Sequence, residues 1–296
     1  MTDKKNVSLA LGSGGARGMA HIGVIRWLDE HDYQIKVIAE SSIGALIGGI
    51  YAAGELDTYT KWVSALRKRD VLRLLDFAYN RAGLFSGDRL MKKLKDMLGD
   101  AQIEDLPVSF TAVTTDLDNG REVWINKGPL FDAIRASIAI PSVFTPVRYH
   151  GRILVDGGVL NPIPIAPTLR VITDMTIAVS LSGREVQQEE LLPTQQEEQE
   201  KEGSYQRAIN NFIEGIQERF NLNEEEEEET SFVDVMTRSI ESMQNTIARF
   251  KLAAYDPNYL LEVPANACGI FDFYRAGEMI ELGYNLMDNM MSRSVK

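Results

Sequence analysis

The stretch Val37-Ile38-Ala39-Glu40-Ser41-Ser42-Ile43-Gly44-Ala45-Leu46-Ile47-Gly48-Gly49-Ile50 leaves the backbone few options. Its first part is a short β-branched apolar run, expected to be a buried strand. Its second part repeats small and apolar residues at helical spacing as far as Ala53, with Gly54 as the stop. The period changes at Ser42, with no residues between for a loop. A strand that turns straight into a helix lifts the apical side chain out of the backbone and exposes it. With serine at the apex, the pattern predicts a nucleophilic hydroxyl of the acyl-hydrolase kind at Ser42. Gly44, Ala45, Gly48, Gly49, Ala52 and Ala53 let such a helix lie close to a sheet.

Upstream, Val7 to Leu11 reads as another buried strand. It is followed by Gly12-Ser13-Gly14-Gly15-Ala16-Arg17-Gly18 and an apolar-periodic helix through Leu28. A glycine-rich turn at a helix N-terminus exposes backbone N–H groups and attracts negative charge. Two ligands suit it: a phosphate, or the oxyanion of a tetrahedral acyl intermediate. A dinucleotide fingerprint counted from Gly12 needs glycine where Arg17 stands, although Glu40 occupies the place of a ribose-binding acid. A P-loop is excluded because no Gly-Lys-Ser/Thr follows. A plain tight turn is the remaining reading. If the first two strands are neighbours, as sequential strands usually are, the N–H groups of Gly14, Gly15 and Ala16 come within reach of Ser42.

A serine nucleophile also needs a base. The histidines are His21, His31 and His150. The chain order serine, acid, histidine would require His150, which falls on a predicted hairpin turn. A carboxylate is the better candidate. Asp156 closes a predicted strand ahead of Gly157-Gly158 and could project beside Ser42 at the sheet's carboxyl edge.

Gly12-Ser13-Gly14-Gly15-Ala16-Arg17-Gly18 with Ala20-His21-Ile22-Gly23, then Ser42, then Asp156-Gly157-Gly158 with Leu160-Asn161-Pro162-Ile163-Pro164, together resemble the bacterial patatin-like phospholipases. The resemblance covers residues 7–182 strongly and the C-terminal residues more loosely. It implies an α/β fold: a three-layer α/β/α sandwich with a mostly parallel central sheet. It also implies a Ser–Asp dyad that hydrolyses carboxylic esters of phospholipids, lysophospholipids or related lipids through an acyl-enzyme, without metal or cofactor. By position, Ser42 is the nucleophile and Asp156 the general base, while Gly14, Gly15 and Ala16 frame the oxyanion hole. Arg17 and Gly18 support that loop, and Gly44, Gly157 and Gly158 support the two turns.

One residue departs from the pattern. The family elbow is Gly-x-Ser-x-Gly, and Glu40 takes the place of the first glycine. An ionised carboxylate at about 5 Å from a developing oxyanion costs roughly 3 kcal/mol at an effective dielectric near 20, about a hundredfold in rate. Two expectations follow: a lipid acyl hydrolase, or a weakened or silent interaction protein on the same scaffold.

Charge completes the sequence picture. The formal net charge is −12, and residues 185–230 alone hold 15 Asp or Glu against 3 Lys or Arg, so the remainder is formally neutral. This distribution argues against a nucleic-acid partner. Lys61 to Lys95 carries 10 Lys or Arg against 3 Asp, a basic stretch suited to anionic headgroups or to the acidic segment. The single cysteine, Cys268, is expected to be a core residue in a reducing compartment. No signal-peptide pattern or membrane-spanning run is visible, so a cytoplasmic protein with peripheral membrane contact is expected. The expected organisation is a catalytic core over 1–182, an acidic and partly disordered insert over 183–231 and further elements of the same domain over 232–296. The insert includes an amphipathic helix over 204–220. Further helices are expected over 58–80, 90–98, 130–139, 232–254 and 271–291, with a loop at 84–88. Hairpins are expected at Asn119-Gly120 and over 147–155, and strands over 176–180 and 259–263. The amphipathic helices could also serve an oligomer surface.

Overall fold

Strand β1 (Lys5–Leu11) is the line from which the sheet grows in both directions. In the computed structural model, which describes residues 4–74, 83–85, 87–186 and 232–294, it pairs in parallel with β2 (Tyr33–Ser41) and β9 (Met175–Gly183). Beyond β2 lies β4 (Ser109–Asp116), and beyond β9 lies β10 (Tyr259–Pro264), both parallel to their neighbours. Three antiparallel strands finish the β4 end: β5 (Arg121–Ile125), β7 (Val147–Tyr149) and β8 (Arg152–Asp156). Two short strands, β3 (Gly83–Phe85) and β6 (Ser142–Phe144), pair separately. Residues 7–11 of β1 and 37–41 of β2 are wholly buried, as a parallel sheet covered on both faces requires.

The order of connections decides which face each helix covers. The steps β1→β2→β4 run one way across the sheet. Right-handed crossovers therefore place α1 (Ala20–Glu30) and α2 (Ile43–Ala52) on the same face. Helix α6 (Leu130–Ser137) packs beside α2, and α8 (Ala276–Ser294) packs along α1. The steps β8→β9→β10 run the other way and fill the opposite face. There Ile163, Ile165 and residues Ala248, Leu252 and Tyr255 of α7 (Phe232–Tyr255) pack on Ala10 and Ala178. The result is a three-layer α/β/α sandwich. The sense of the connections reverses between β1 and β9. At such a switch point, the carboxyl ends of neighbouring strands open a crevice.

Residues 1–191 and 244–296 form one compact unit and residues 192–243 a second. The described part of the second is residues 232–243, the first half of α7. The predicted helix over 204–220 and the glutamate run lie outside the described residues.

Most elements fall where the hydrophobic pattern put them; the differences have local causes. The helix expected over 58–80 is two in its described part, α3 (Leu56–Ser64) and α4 (Lys68–Leu74). The Asp70 carboxylate accepts the Arg67 N–H at 3.1 Å and starts α4 afresh. The first two residues of the loop expected over 84–88 belong to β3 (Gly83–Phe85), and its last, Asp88, opens α5 (Asp88–Leu98). Strand β2 begins at Tyr33 rather than Val37. The last helix starts at Ala276, after a 3-10 turn over Phe273–Arg275.

Candidate active site

Ser42 sits between β2 and α2 with φ 57° and ψ −124°. A non-glycine residue there is strained by about 1–3 kcal/mol, and the surroundings must hold it. Its N–H donates to Ser137 Oγ at 3.0 Å, and that hydroxyl donates to Val113 O at 2.7 Å. Small residues let the neighbouring chain close in. A Cβ on Gly44 would stand 2.4 Å from Leu11 O, and one on Gly18 would stand 2.4 Å from Ile43. These glycines hold the start of α2 directly on the end of β1 and on the loop that follows it.

Asp156 reaches Ser42 through the sheet. Strand β4 pairs with β2 over residues 109–113 and with β8 over 114–116. Its other edge is taken by β5 over 112–116, so β2 and β8 lie end to end along the same edge. Ser41 faces Val113 and Asp156 faces the next residue, Thr114. The carboxylate is therefore delivered immediately beyond the end of β2. Its Oδ1 accepts the Gly158 N–H at 2.7 Å. Oδ2 is buried without a well-aligned partner, and the nearby Ser42 hydroxyl favours its charged form. Burial outweighs both helping groups and raises the carboxyl from 3.8 to about 7. A base poised there shares protons readily with a hydroxyl near neutral pH. Gly157 lets this turn lie against Val113 O, where a Cβ would come within 2.1 Å.

The glycine-rich loop fills the crevice between β1 and β9. Gly12 N–H donates to Val179 O at 3.0 Å and Ser13 N–H to Pro162 O at 2.9 Å. Gly14 (φ 159°) packs on Leu181, and Gly15 takes φ 60° against Ile270. The Ala16 N–H, expected to help frame an oxyanion, is engaged in donating to Ile270 O at 2.8 Å. Arg17 braces the loop. Its Nε donates to Gly14 O at 3.2 Å and its Nη1 to Ala265 O. His21, fully buried, bonds through Nε2 to Gly12 O at 2.9 Å, and burial lowers it from 6.5 to about 4. It is a neutral support for the loop. His150 stands in the exposed turn between β7 and β8.

Gly15 and Ser42 line one cavity of about 80 Å³. Its walls are otherwise apolar, from Leu46 of α2, Trp62 and Val63 of α3, Val71 and Leu74 of α4, and the loop carrying Ile270 and Phe271. Ser42, with the buried Asp156 carboxyl beside it, and Gly15 thus meet at a hydrocarbon-lined slot.

The family model described as patatin-like phospholipase matches residues 9–169. The chain belongs to the patatin-like phospholipase family. An uncharacterized NTE family protein of Mycobacterium tuberculosis is 39% identical to this patatin-like chain, covering 94% of it and 89% of the relative. A lysophospholipase of Emericella nidulans is 32% identical over 60% of this chain but only 12% of its own length. In fold, the chain is similar to VipD from Legionella pneumophila, with a TM-score of 0.52 at 14% identity, covering 97% of this chain and 67% of VipD.

Against the family pattern, the structure accounts for Glu40. Its side chain turns under α2, where a Cβ on Gly48 would lie 2.3 Å from Oε1. Gly48 is six residues beyond Ser42, about 9 Å along the helix axis. Glu40 is wholly buried, and burial raises its carboxyl well above the usual 4.5. The expected opposition between an ionised Glu40 and an oxyanion thus loses its footing, since the group is turned away and disposed to stay neutral.

Several supporting residues carry no local signal in this patatin-like sequence. Ser137 is one. Asn161 belongs to the motif that carries the resemblance, but nothing there announces its partners: its carbonyl accepts from Ser41 Oγ at 2.6 Å and its Nδ2 donates to Glu122 at 2.8 Å. Glu122 also accepts from Lys251 of α7 at 2.5 Å and from Trp124 Nε1 at 2.9 Å. Only knowledge of which strands are neighbours would have joined them. Among the described residues, no cluster of three His, Cys, Asp or Glu could hold a metal ion, and no helix is long and apolar enough to cross a membrane.

Proposed function

We propose that the chain is a serine hydrolase of lipid carboxylic esters, with Ser42 as nucleophile and Asp156 as general base. One juxtaposition supports this most directly: the strained Ser42 and the buried, proton-sharing Asp156 meet beside a slot lined by hydrocarbon side chains. Ionised Asp156 takes the Ser42 proton as Oγ attacks the ester carbonyl. The Gly14 and Gly15 N–H groups receive the oxyanion. Asp156 then returns the proton to the departing alcohol, leaving an acyl-Ser42. Water, giving its proton to Asp156, attacks that ester; as the acyl–Oγ bond breaks, Asp156 passes the proton to Ser42 Oγ, releasing the fatty acid and restoring the free serine and the carboxylate. The apolar slot holds the acyl chain, so phospholipids, lysophospholipids and related esters are the substrates that fit. The helices that wall the slot set exposed Lys61, Arg67, Arg73 and Arg89 next to Trp62, Leu66, Leu74 and Leu90. That pattern suits a protein that visits a lipid surface.

A fluorophosphonate probe together with turnover of p-nitrophenyl acyl esters tests the assignment. Wild type should label at Ser42 and turn over. Ser42→Ala should do neither, and Asp156→Asn should lose about 10²–10⁴-fold in rate, both with unchanged far-ultraviolet circular dichroism. Full turnover in either variant would refute the dyad. A lipid panel with Ser42→Ala as the blank then identifies headgroup and chain length.

A further inference from the structure

We propose that Glu40 is a positioning residue for the Ser42 elbow: an uncharged wedge that seats α2, and whose loss of a proton unseats the helix and disables the serine. The catalytic half of this statement rests on the hydrolase reading above.

Helix α2 approaches its neighbours most closely through three glycines, Gly44, Gly48 and Gly49, the last against Phe110 of β4 and Ile134 of α6. Two of these contacts lie one turn apart over β1 and β2. At the first, Gly44 lies on Leu11 O, and at the second, Gly48 lies on the Glu40 carboxyl. In register, Leu11, Glu40 and Ala112 stand side by side on adjacent strands. They share one face, and Glu40 is the only one of the three long enough to fill the space under the second turn. Under the proposal, the Glu40 contact shares with those at Gly44 and Gly49 in setting the height of α2 over the sheet, and with it the direction of Ser42 at its start. A glycine at position 40 would leave the second support missing.

The wedge is built for the neutral acid. Glu40 is 0% exposed, and neither carboxyl oxygen has a hydrogen-bond partner among the described residues. Among the described residues, burial alone shifts its carboxyl. On α1, His21 is bonded to Gly12 O, Arg26 reaches Asp57 and Asp29 accepts from Tyr51. Arg17 is bonded to Gly14 O and Ala265 O, and Arg170 lies over the Trp124 ring. On β1 the ionisable residue is Lys5 at the far end, and on β2 it is exposed Lys36. On β4 it is Asp116, held by Asn119 and near Arg121 and Arg152. On α2 it is Tyr51, whose hydroxyl donates to Asp29. On α6, Asp132 is exposed; Arg135 donates through Nη2 to Thr145, its Nη1 is buried without a hydrogen-bond partner among the described residues, and its charge does not act on Glu40. A carboxylate left in that slot would meet neither donor nor cation. Such a burial is relieved only by admitting water or by lifting the helix. The chemical step is a simple ionisation, in which the carboxylic acid passes its proton to hydroxide, giving carboxylate and water.

The test compares wild type, Glu40→Gln and Glu40→Gly across pH, reading thermal midpoint and the rate of fluorophosphonate labelling at Ser42. Glutamine keeps the shape and cannot ionise; glycine removes the wedge. Wild type should show two ionisations, one belonging to Asp156 and one that lowers both midpoint and labelling rate as pH rises. Glu40→Gln should retain the first and lack the second. Glu40→Gly should label about tenfold more slowly than Glu40→Gln at every pH. A Glu40→Gln profile superimposable on wild type, or a Glu40→Gly variant that labels as fast as Glu40→Gln, would overturn the proposal. The thermal midpoint needs no turnover. A wild-type protein that fails to hydrolyse any ester would therefore sink the hydrolase reading, while the midpoint still decides whether Glu40 is the ionising wedge.

Discussion

At the scale of single residues, the site trades stability for reactivity. Ser42 holds a backbone conformation that glycine adopts without strain. Ser42→Gly should therefore raise the unfolding free energy by about 1 kcal/mol while abolishing probe labelling; chemical denaturation reads the first, a gel the second. Asp156 makes the same point through pH. Its carboxyl lies at about 7 in the fold against 3.8 as the ordinary value. Between those values the native state holds a proton that the unfolded chain has released, so its stabilising contribution is full below 3.8 and is lost as pH rises through about 7. Asp156→Asn should be the more stable protein at pH 8, by up to about 4 kcal/mol. Hydrolysis should run the opposite way, rising with pH through about 7 as the base becomes available, which a kcat/KM profile would show. Ser42 and Asp156 stood out in the sequence because each is flanked by small residues that only a tight turn requires. Ser137 and Ile270 did not, because a hydroxyl in a helix and a carbonyl in a distant loop leave no periodic trace.

At the scale of elements, glycine sets how closely layers approach. A Cβ on Gly23 of α1 would lie 2.0 Å from Ile280 O in α8, and one on Gly283 of α8 would lie 2.1 Å from Ala20 O. Alanine is favoured over glycine inside a helix by about 1 kcal/mol. Here the new methyl meets backbone that cannot swing aside, so overpacking of about 1–3 kcal/mol or more outweighs propensity. Gly23→Ala should lower stability, measurable as a reduced denaturation midpoint. Apolar periodicity outlined β1, α2, the β4–β5 hairpin, α7 and β10. It overlooked β3 and β6, which are three residues long and owe their extended form to one another. It also merged α3 with α4, because a one-residue carboxylate cap interrupts a helix without interrupting its pattern.

At the scale of the molecule, the reversal of strand order between β1 and β9 gathers the chemistry at one edge of the sheet. Ser42, Asp156, Gly14 and Gly15 all lie at or just beyond strand ends there. The three-layer architecture was legible through family resemblance. Pairing of β9 with β1, which opens the crevice, joins residues too far apart in the chain for any local pattern to announce. The acidic balance of the sequence sits in residues 185–230, and the slot walls carry exposed Lys61, Arg67 and Arg73. Ser42→Ala protein should bind vesicles of phosphatidylcholine doped with phosphatidylglycerol and leave pure phosphatidylcholine alone. Binding should weaken with salt, and Arg67→Glu with Arg73→Glu should reduce it, at about 1 kcal/mol per basic residue near the surface. Cosedimentation measures this, and equal binding to neutral vesicles would count against an electrostatic surface.

The brace on the glycine-rich loop has a consequence for biosynthesis. Arg17 and Ala16 are pinned by the carbonyls of Ala265 and Ile270, from a segment translated long after Ser42 and Asp156 have left the ribosome. If Ser42 and Asp156 act as proposed, the nascent polypeptide carries both but no braced loop to receive negative charge until that segment emerges and docks. On the proposed mechanism the hydrolase would thus stay inert throughout its own synthesis and become competent only when its late-made portion arrives.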